Sequence, residues 1–423
     1  MSSLARIRSP ILALAMALST LGQAESLTLI ETPAGRPSLA PRLTALDSDR
    51  ALLSWLEVIE AGHRLVVAEF DGESVGPAHE ISRGNNFFAN WADTPGLRVG
   101  RDGQWLAHWL VRSGRGTFAY DVVVLLSDDQ GRHWSDPFSP HDDGTLTEHG
   151  FVSTFVGASI GSGFGAVWLD GRETEPAAED RHHDHRQQAD EHRHGSGSMT
   201  LRSALIRRDG RIAESALLDA RVCDCCPTDA AMTSDGAIVV YRDRSDDEIR
   251  DIALVRREGL GWSNPIIVHP DGWRIAGCPV NGPAVLARGS TVVVAWFTMA
   301  DERPRVQLAR SNDGGRSFTA PIELDGGTAL GRVDLTWSGE SAVLSWLDEV
   351  DAGAMLRIAR LDHRGRLAER RDLRTVDDGR ISGVPRVLGL EDGRVLLTWT
   401  ESAGESKRPR VRLGWIRFSD AKM

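Results

Sequence analysis

A sustained helical period of apolar residues is nearly absent from this chain, so an all-β fold is expected. No run reaches the eighteen or so apolar residues of a membrane-spanning helix. Basic charge is in deficit: 49 Lys and Arg stand against 60 Asp and Glu, a formal net charge of −11. Nucleic acid and anionic membrane surfaces need a basic footprint, so neither is an expected partner. Cysteine occurs four times and tyrosine twice, at Tyr120 and Tyr241. There is no haem-attachment C-x-x-C-H and no phosphate-cradling glycine loop. A G-x-S-x-G match at Gly157–Gly161 falls inside a β unit, where it reads as a hairpin turn and not as a strand-to-helix nucleophile elbow.

The N-terminus has the layout of an export leader. Arg6 and Arg8 precede an apolar stretch from Ile11 to Leu21, and Gly22-Gln23-Ala24 offers a small-residue cleavage site. Residues 1–24 are therefore expected to be removed after about Ala24, and residues 25–423 to act in the periplasm or outside the cell. In that compartment disulfides form and persist.

Seven short apolar segments end in an aromatic residue, at Trp55, Trp109, Trp168, Tyr241, Trp296, Trp346 and Trp399. Their spacings are 54, 59, 73, 55, 50 and 53 residues, and the longest contains a low-complexity insert, 173–198. Each period holds about four short strands punctuated by Gly, Asp and Asn, the signature of a β-propeller. A single propeller of seven four-stranded blades is expected, with six as the alternative count. The last unit shows three strands, and Leu27–Thr32 is expected to supply the fourth and close the ring. The seven aromatics read as packing residues between blades.

Two turns share the pattern S-x-D-x-G-x-x-aromatic, Ser127–Trp134 and Ser311–Phe318. Ser and Asp can bond turn backbone, and Gly tolerates a positive φ. This pattern resembles the Asp-box, or bacterial neuraminidase repeat, of the sialidase superfamily. The resemblance extends at the level of architecture over nearly the whole chain past the leader. It implies that Asp129 and Asp313 are structural, on the face away from the ligand. Sialidases use an arginine triad and a Tyr nucleophile with a Glu partner and an Asp acid. The early Phe/Tyr-Arg-Ile-Pro motif that carries their first arginine is absent here. The pattern "CDCCPTDA … YRDRSDDEIRD … CPVNGPA" is similar to exported bacterial sialidase-like proteins.

In a propeller, the loops joining blades and those joining second to third strands share one face, which the resemblance marks as the ligand face. Candidate ligand-binding residues there are Arg172, Arg242, Arg244, Arg250, Asp170 and Asn281. Candidate catalytic residues are Tyr241, Asp243, Asp246 and Glu248, with Asp247 beside them. Asn86, Asn90, Trp91 and Asp93 lead into unit two, and His149 into unit three. An acid follows the slot aromatic by two residues in five units: Glu57, Asp170, Asp243, Asp348 and Glu401. That spacing keeps both side chains on one side of a strand. The repeated acids read either as turn caps or as a rim of carboxylates around the mouth.

Three cysteines crowd into "CDCCP", Cys223, Cys225 and Cys226, and Cys278 follows at the next blade. The leading expectation is a Cys226–Cys278 disulfide; pairing of Cys223 or Cys225 with Cys278, or with each other, stays open. A second reading is a copper or zinc site made by the four cysteines with His182, His183 and His185 of the insert. Three functions follow. The first is a sialidase-like propeller that binds a glycan or other polar small molecule without sialidase turnover and without a required cofactor. The second is an exo-alpha-sialidase or another glycoside hydrolase or lyase. The third is a periplasmic metal-binding protein.

Overall fold

The computed structural model describes residues 27–35, 37–157, 163–174, 197–403 and 408–418. The leader and the histidines at 182, 183 and 185 lie outside the described residues. The described strands form seven sheets, each antiparallel between chain neighbours. Blade one holds Ser38–Ala45, Ala51–Ile59, Gly62–Phe70 and His79–Gly84. Blade two holds Gly96–Val99, Trp105–Arg112 and Tyr120–Ser127, and its fourth position is reduced to a bridge between Val124 and Phe138. Blade three holds His149–Val156, Phe164–Asp170, Thr200–Ile206 and Ile212–Asp219.

Blade four is built on Asp229–Met232, Ala237–Arg242 and Ile252–Glu258, with Gly261–Trp262 and Ile266–His269 both paired to its third strand. Blades five and six run from Ala284–Arg288 to Ile322–Glu323 and from Ala329–Ser338 to Leu367–Val376. Blade seven, Arg386–Gly389, Arg394–Ala403 and Arg408–Arg417, is completed by Thr28–Ile30, with Thr28 opposite Trp415. The expected closure by the N-terminal strand is therefore present, and it covers the edge of the last blade.

The spacing of the aromatics explains how the ring holds. Seven buried apolar clusters form, one at each junction between adjacent blades. Each slot aromatic belongs to a different cluster and packs its own blade against the preceding one: Trp55 joins blade one to blade seven, Tyr241 joins blade four to blade three. Trp55, Tyr241, Trp296, Trp346 and Trp399 are fully buried. A side chain of this size removes some 150–250 Å² from water, roughly 4–6 kcal/mol at about 25 cal/mol per Å² as an upper bound. That repetition of a large anchor is what a chain without helices uses in place of one central core.

The two S-x-D-x-G turns are held locally, as their residue types require. Ser127 Oγ accepts from the Gly131 amide at 2.8 Å, and Asp129 Oδ1 from the His133 amide at 2.8 Å. Ser311 and Asp313 repeat this with Gly315 at 2.9 Å and Ser317 at 3.0 Å. Backbone and side-chain donation from His133 holds the Asp129 carboxyl down at about 2. Ser127 ends the strand that Tyr120 begins. At about 3.3 Å per residue, this turn lies roughly 23 Å from the opposite face.

Candidate functional site

The repeated acids are explained by the fold. Trp55 Nε1 donates to Glu57 at 3.2 Å, and Arg64 from the next strand grips Glu57 at 2.7 Å. Trp168 donates to Asp170 at 2.7 Å, and Arg172 pairs with it at 2.7 Å. Trp399 donates to Glu401 at 3.4 Å, and Arg412 pairs with Glu401. Asp348, fully buried, is held by Arg357. In blades one, three and seven these charge-assisted triplets fix the slot aromatic, and in blade six Asp348 pairs with Arg357, so in all four the acid has a structural partner.

Most of the expected site residues of blade four are likewise committed. Tyr241 is fully buried, and its hydroxyl donates to Asp219 at 2.6 Å. Burial and the nearby Asp219 drive its acidity far from any working range. Tyr241, expected as a catalytic candidate, therefore faces the blade junction, with its hydroxyl committed to Asp219. Arg242, 1 % exposed, spends its guanidinium on the carbonyls of Asn281, Arg250 and Phe297 at 2.6–3.0 Å and stacks on Trp273. It ties blade four to blade five and is not a ligand contact. Asn281 is also structural: its Oδ1 accepts from the Arg332 amide at 2.8 Å. Asp246 sits exposed on Arg221. Glu248 is clamped between Arg244 at 2.6 Å and Arg250 at 2.8 Å, which holds its carboxyl below the usual range. Burial raises Asp243 to about 6.

The cysteine expectation is corrected as well. The disulfide joins Cys225 to Cys278, Cα atoms 5.9 Å apart. Cys226 instead turns inward and is buried, its Sγ 3.3 Å from that of Cys223. Two sulfurs are thus in a bond and two remain thiols. Burial opposes ionisation of Cys223, but the Cys226 thiol and the Arg250 guanidinium, 3.2 Å away, bring it down to about 6. Burial and the neighbouring Cys223 push Cys226 up.

A cavity of about 450 Å³ opens beside this disulfide. Its walls come from blade-joining loops and second-to-third-strand loops on one face. Phe88, Trp91, Phe118 and Phe151 supply aromatic surface. Tyr120, Glu148 and Asp224 supply polar groups, and Arg380 is the arginine among its lining residues. Tyr120 opens the third strand of blade two, and Glu148 immediately precedes the first strand of blade three, where the two residues bridge backbone to backbone. The Tyr120 hydroxyl donates to Glu148 Oε1. Phe88 stacks on Tyr120 with centroids 4.0 Å apart.

Behind them Asp93 Oδ2 accepts from the Phe151 amide at 2.7 Å. Gly150 is required at this point: a Cβ there would fall 2.2 Å from Asp93 Oδ2 and 2.8 Å from Tyr120 Cε2. Burial first, then Asp93 and Asp224, lift Glu148 to about 8, and burial lifts Asp93 to about 7. The mouth thus holds carboxyls that keep a proton near neutral pH and can donate as well as accept hydrogen bonds.

Sequence reading placed Trp91, Asp93 and His149 on this face but did not single out Tyr120, Glu148 or Asp224. The signal available was positional: Glu148 leads into a blade just as Cys226-Pro227 and Cys278-Pro279 do.

No protein-family profile matches the chain, and no curated protein matches it. Solved structures do. A protein of unknown function from Dyadobacter fermentans superposes with a TM-score of 0.54 at 14% identity, over 94% of this chain and 99% of that one. The endosialidase of phage phi92 gives 0.49 at 8% identity, over 94% and 70%. A sialidase from Streptococcus pneumoniae gives 0.45 at 10%, over 96% and 72%. At these identities the likeness shows the fold and nothing more. Among the described residues no helix is long and apolar enough to cross a membrane.

Proposed function

We propose that the protein is exported and binds a glycan or other polar small molecule in the cavity between Trp91, Tyr120–Glu148 and the Cys225–Cys278 disulfide, without sialidase turnover. The observation that carries this reading is the composition of that cavity: aromatic faces around a buried Tyr–Glu hydrogen bond. Apolar walls with a few convergent polar groups are the common form of a small-ligand site. Aromatic faces stack on the C–H faces of sugar rings, while Glu148 and Asp224 suit hydroxyl donors. One lining arginine is a poor substitute for the triad that grips a sialic acid carboxylate. The disulfide at its rim agrees with an oxidising compartment.

A second reading, hydrolysis with Tyr120 as nucleophile and Glu148 as its base, is favoured by their hydrogen bond. Against it, Tyr120 is 1 % exposed, and burial together with Glu148 raises its pKa well above the ordinary value, opposite to what activates a phenol.

One experiment separates them. The purified protein is titrated by calorimetry with neutral, uronic and sialylated oligosaccharides and incubated with a fluorogenic sialoside. Saturable binding without product, lost in Trp91→Ala, is expected. Product release abolished by Tyr120→Phe would establish the second reading instead.

A further inference from the structure

Across the strands from this cavity, blade three carries charged groups that its structural triplet does not need. Tyr120 and Glu148 face the cavity; their chain neighbours Asp121 and His149 point the other way, as alternation along extended chain requires. His149 is fully buried, and each of its ring nitrogens faces carboxylate oxygen rather than backbone.

The surroundings are specific. His149 Nδ1 lies 3.2 Å from Asp121, and Nε2 lies 3.2 Å from Asp143 Oδ2. His141 stacks on His149, ring centroids 4.0 Å apart. Its Nδ1 faces the same Asp143 oxygen at 3.3 Å, and its Nε2 faces the Val122 amide beside Asp121 at 3.3 Å. So one nitrogen of each ring turns to Asp143 and the other turns to the Asp121 side. Ring nitrogens of both histidines and a carboxylate oxygen of Asp121 come within 4.8 Å of one another.

The remaining charges lie on the Asp143 side. Arg172 pairs with Asp143 at 3.0 Å and with Asp170 at 2.7 Å, and Arg202 stands 3.8 Å from Asp170. Asp143 and Asp170 therefore face two guanidiniums, and the cationic side chains sit away from Asp121.

We propose that His141, His149 and Asp121 bind one divalent transition-metal ion, with Asp143 as the outer carboxylate that accepts a hydrogen bond from the remaining N–H of each histidine. Metal-bound imidazoles commonly donate their other N–H to a carboxylate, which fixes the ligating tautomer. A set of two imidazoles and one carboxylate suits first-row ions such as zinc or cobalt. Zinc–nitrogen bonds of about 2.0–2.1 Å place tetrahedral ligands roughly 3.3 Å apart, so the site closes when the stacked rings tilt to turn both nitrogens toward one point. The Val122 amide contact on His141 is long and is displaced when the ion binds. Asp121, 31 % exposed, leaves a path for the ion. This site is independent of any sugar in the cavity.

The test is a cobalt titration of metal-free protein, followed by its visible d–d bands, with zinc competition for affinity. One equivalent is expected, with no thiolate charge-transfer band. His149→Gln is expected to weaken zinc binding by more than about 100-fold, and Asp143→Asn by about 10–100-fold. The part-exposed Asp121→Asn, which leaves the buried rings in place, is expected to weaken it at least about tenfold. Replacing His182, His183, His185, His192 and His194 together by Ala is expected to leave affinity unchanged. No stoichiometric binding by folded protein, a thiolate charge-transfer band, or full affinity in both Asp121→Asn and His149→Gln would overturn the proposal.

Discussion

Tyr120 and Tyr241 are both buried, and both donate their hydroxyl to a carboxylate, yet they sit at different places on their blades. Tyr241 ends an inner strand in the slot that Trp fills elsewhere, and its partner Asp219 belongs to the outer strand of the preceding blade. Tyr120 begins a third strand at the mouth, and its partner Glu148 leads into the next blade. The same pair of groups is a bolt in one place and the floor of a cavity in the other. Position in the repeat, not residue type, decides which.

Substitutions can break that comparison. Tyr241→Ala removes an inter-blade anchor and is expected to cost about 3–5 kcal/mol in urea denaturation. Gly150→Ala should cost about 1–3 kcal/mol and abolish ligand binding, because the new methyl displaces Asp93 and Tyr120. A calorimetric titration of the refolded variant checks the second part.

The pH dependence sharpens it. Glu148 rises from 4.5 to about 8 and Asp93 from 3.8 to about 7 on folding, chiefly by burial. Between these limits the folded state keeps protons that the unfolded chain has released. Stability is therefore complete below the lower values and is lost as pH rises toward 8. Denaturation midpoints measured from pH 4 to 9 should fall over this window, by up to about 1.4 kcal/mol per pH unit for each proton. Glu148→Gln should flatten the fall. The smallest effect is expected for Tyr241→Phe, about 1 kcal/mol, since half-exposed Asp219 can be rehydrated.

Much of the architecture was legible because it is periodic. Seven aromatics at near-constant spacing and a three-stranded last unit were enough for the blade count and for closure by Thr28–Ile30. The acids two residues past Trp55, Trp168 and Trp399 were legible as a pattern. Their role needed the arginines, and Arg64, for example, stands on a neighbouring strand. Cys225–Cys278 was one of several pairings left open, because three cysteines within four residues do not reveal which side chain turns inward. Tyr120 and Glu148 were the hardest to see. They are 28 residues apart, in different blades, and only the ring brings them together. The arginines of "YRDR" drew attention to Tyr241, but Arg242 is consumed by backbone carbonyls that no local pattern announces.

The central claim is that the working mouth lies at Tyr120–Glu148 and not at Tyr241. The direct measurement is the calorimetric affinity of one bound oligosaccharide for Tyr120→Phe and Tyr241→Phe, both verified as folded. Tyr120→Phe should bind at least about tenfold more weakly, the 1.4 kcal/mol of one hydrogen bond, while Tyr241→Phe stays near the unmutated protein. Unchanged affinity in Tyr120→Phe together with loss in Tyr241→Phe would contradict the assignment.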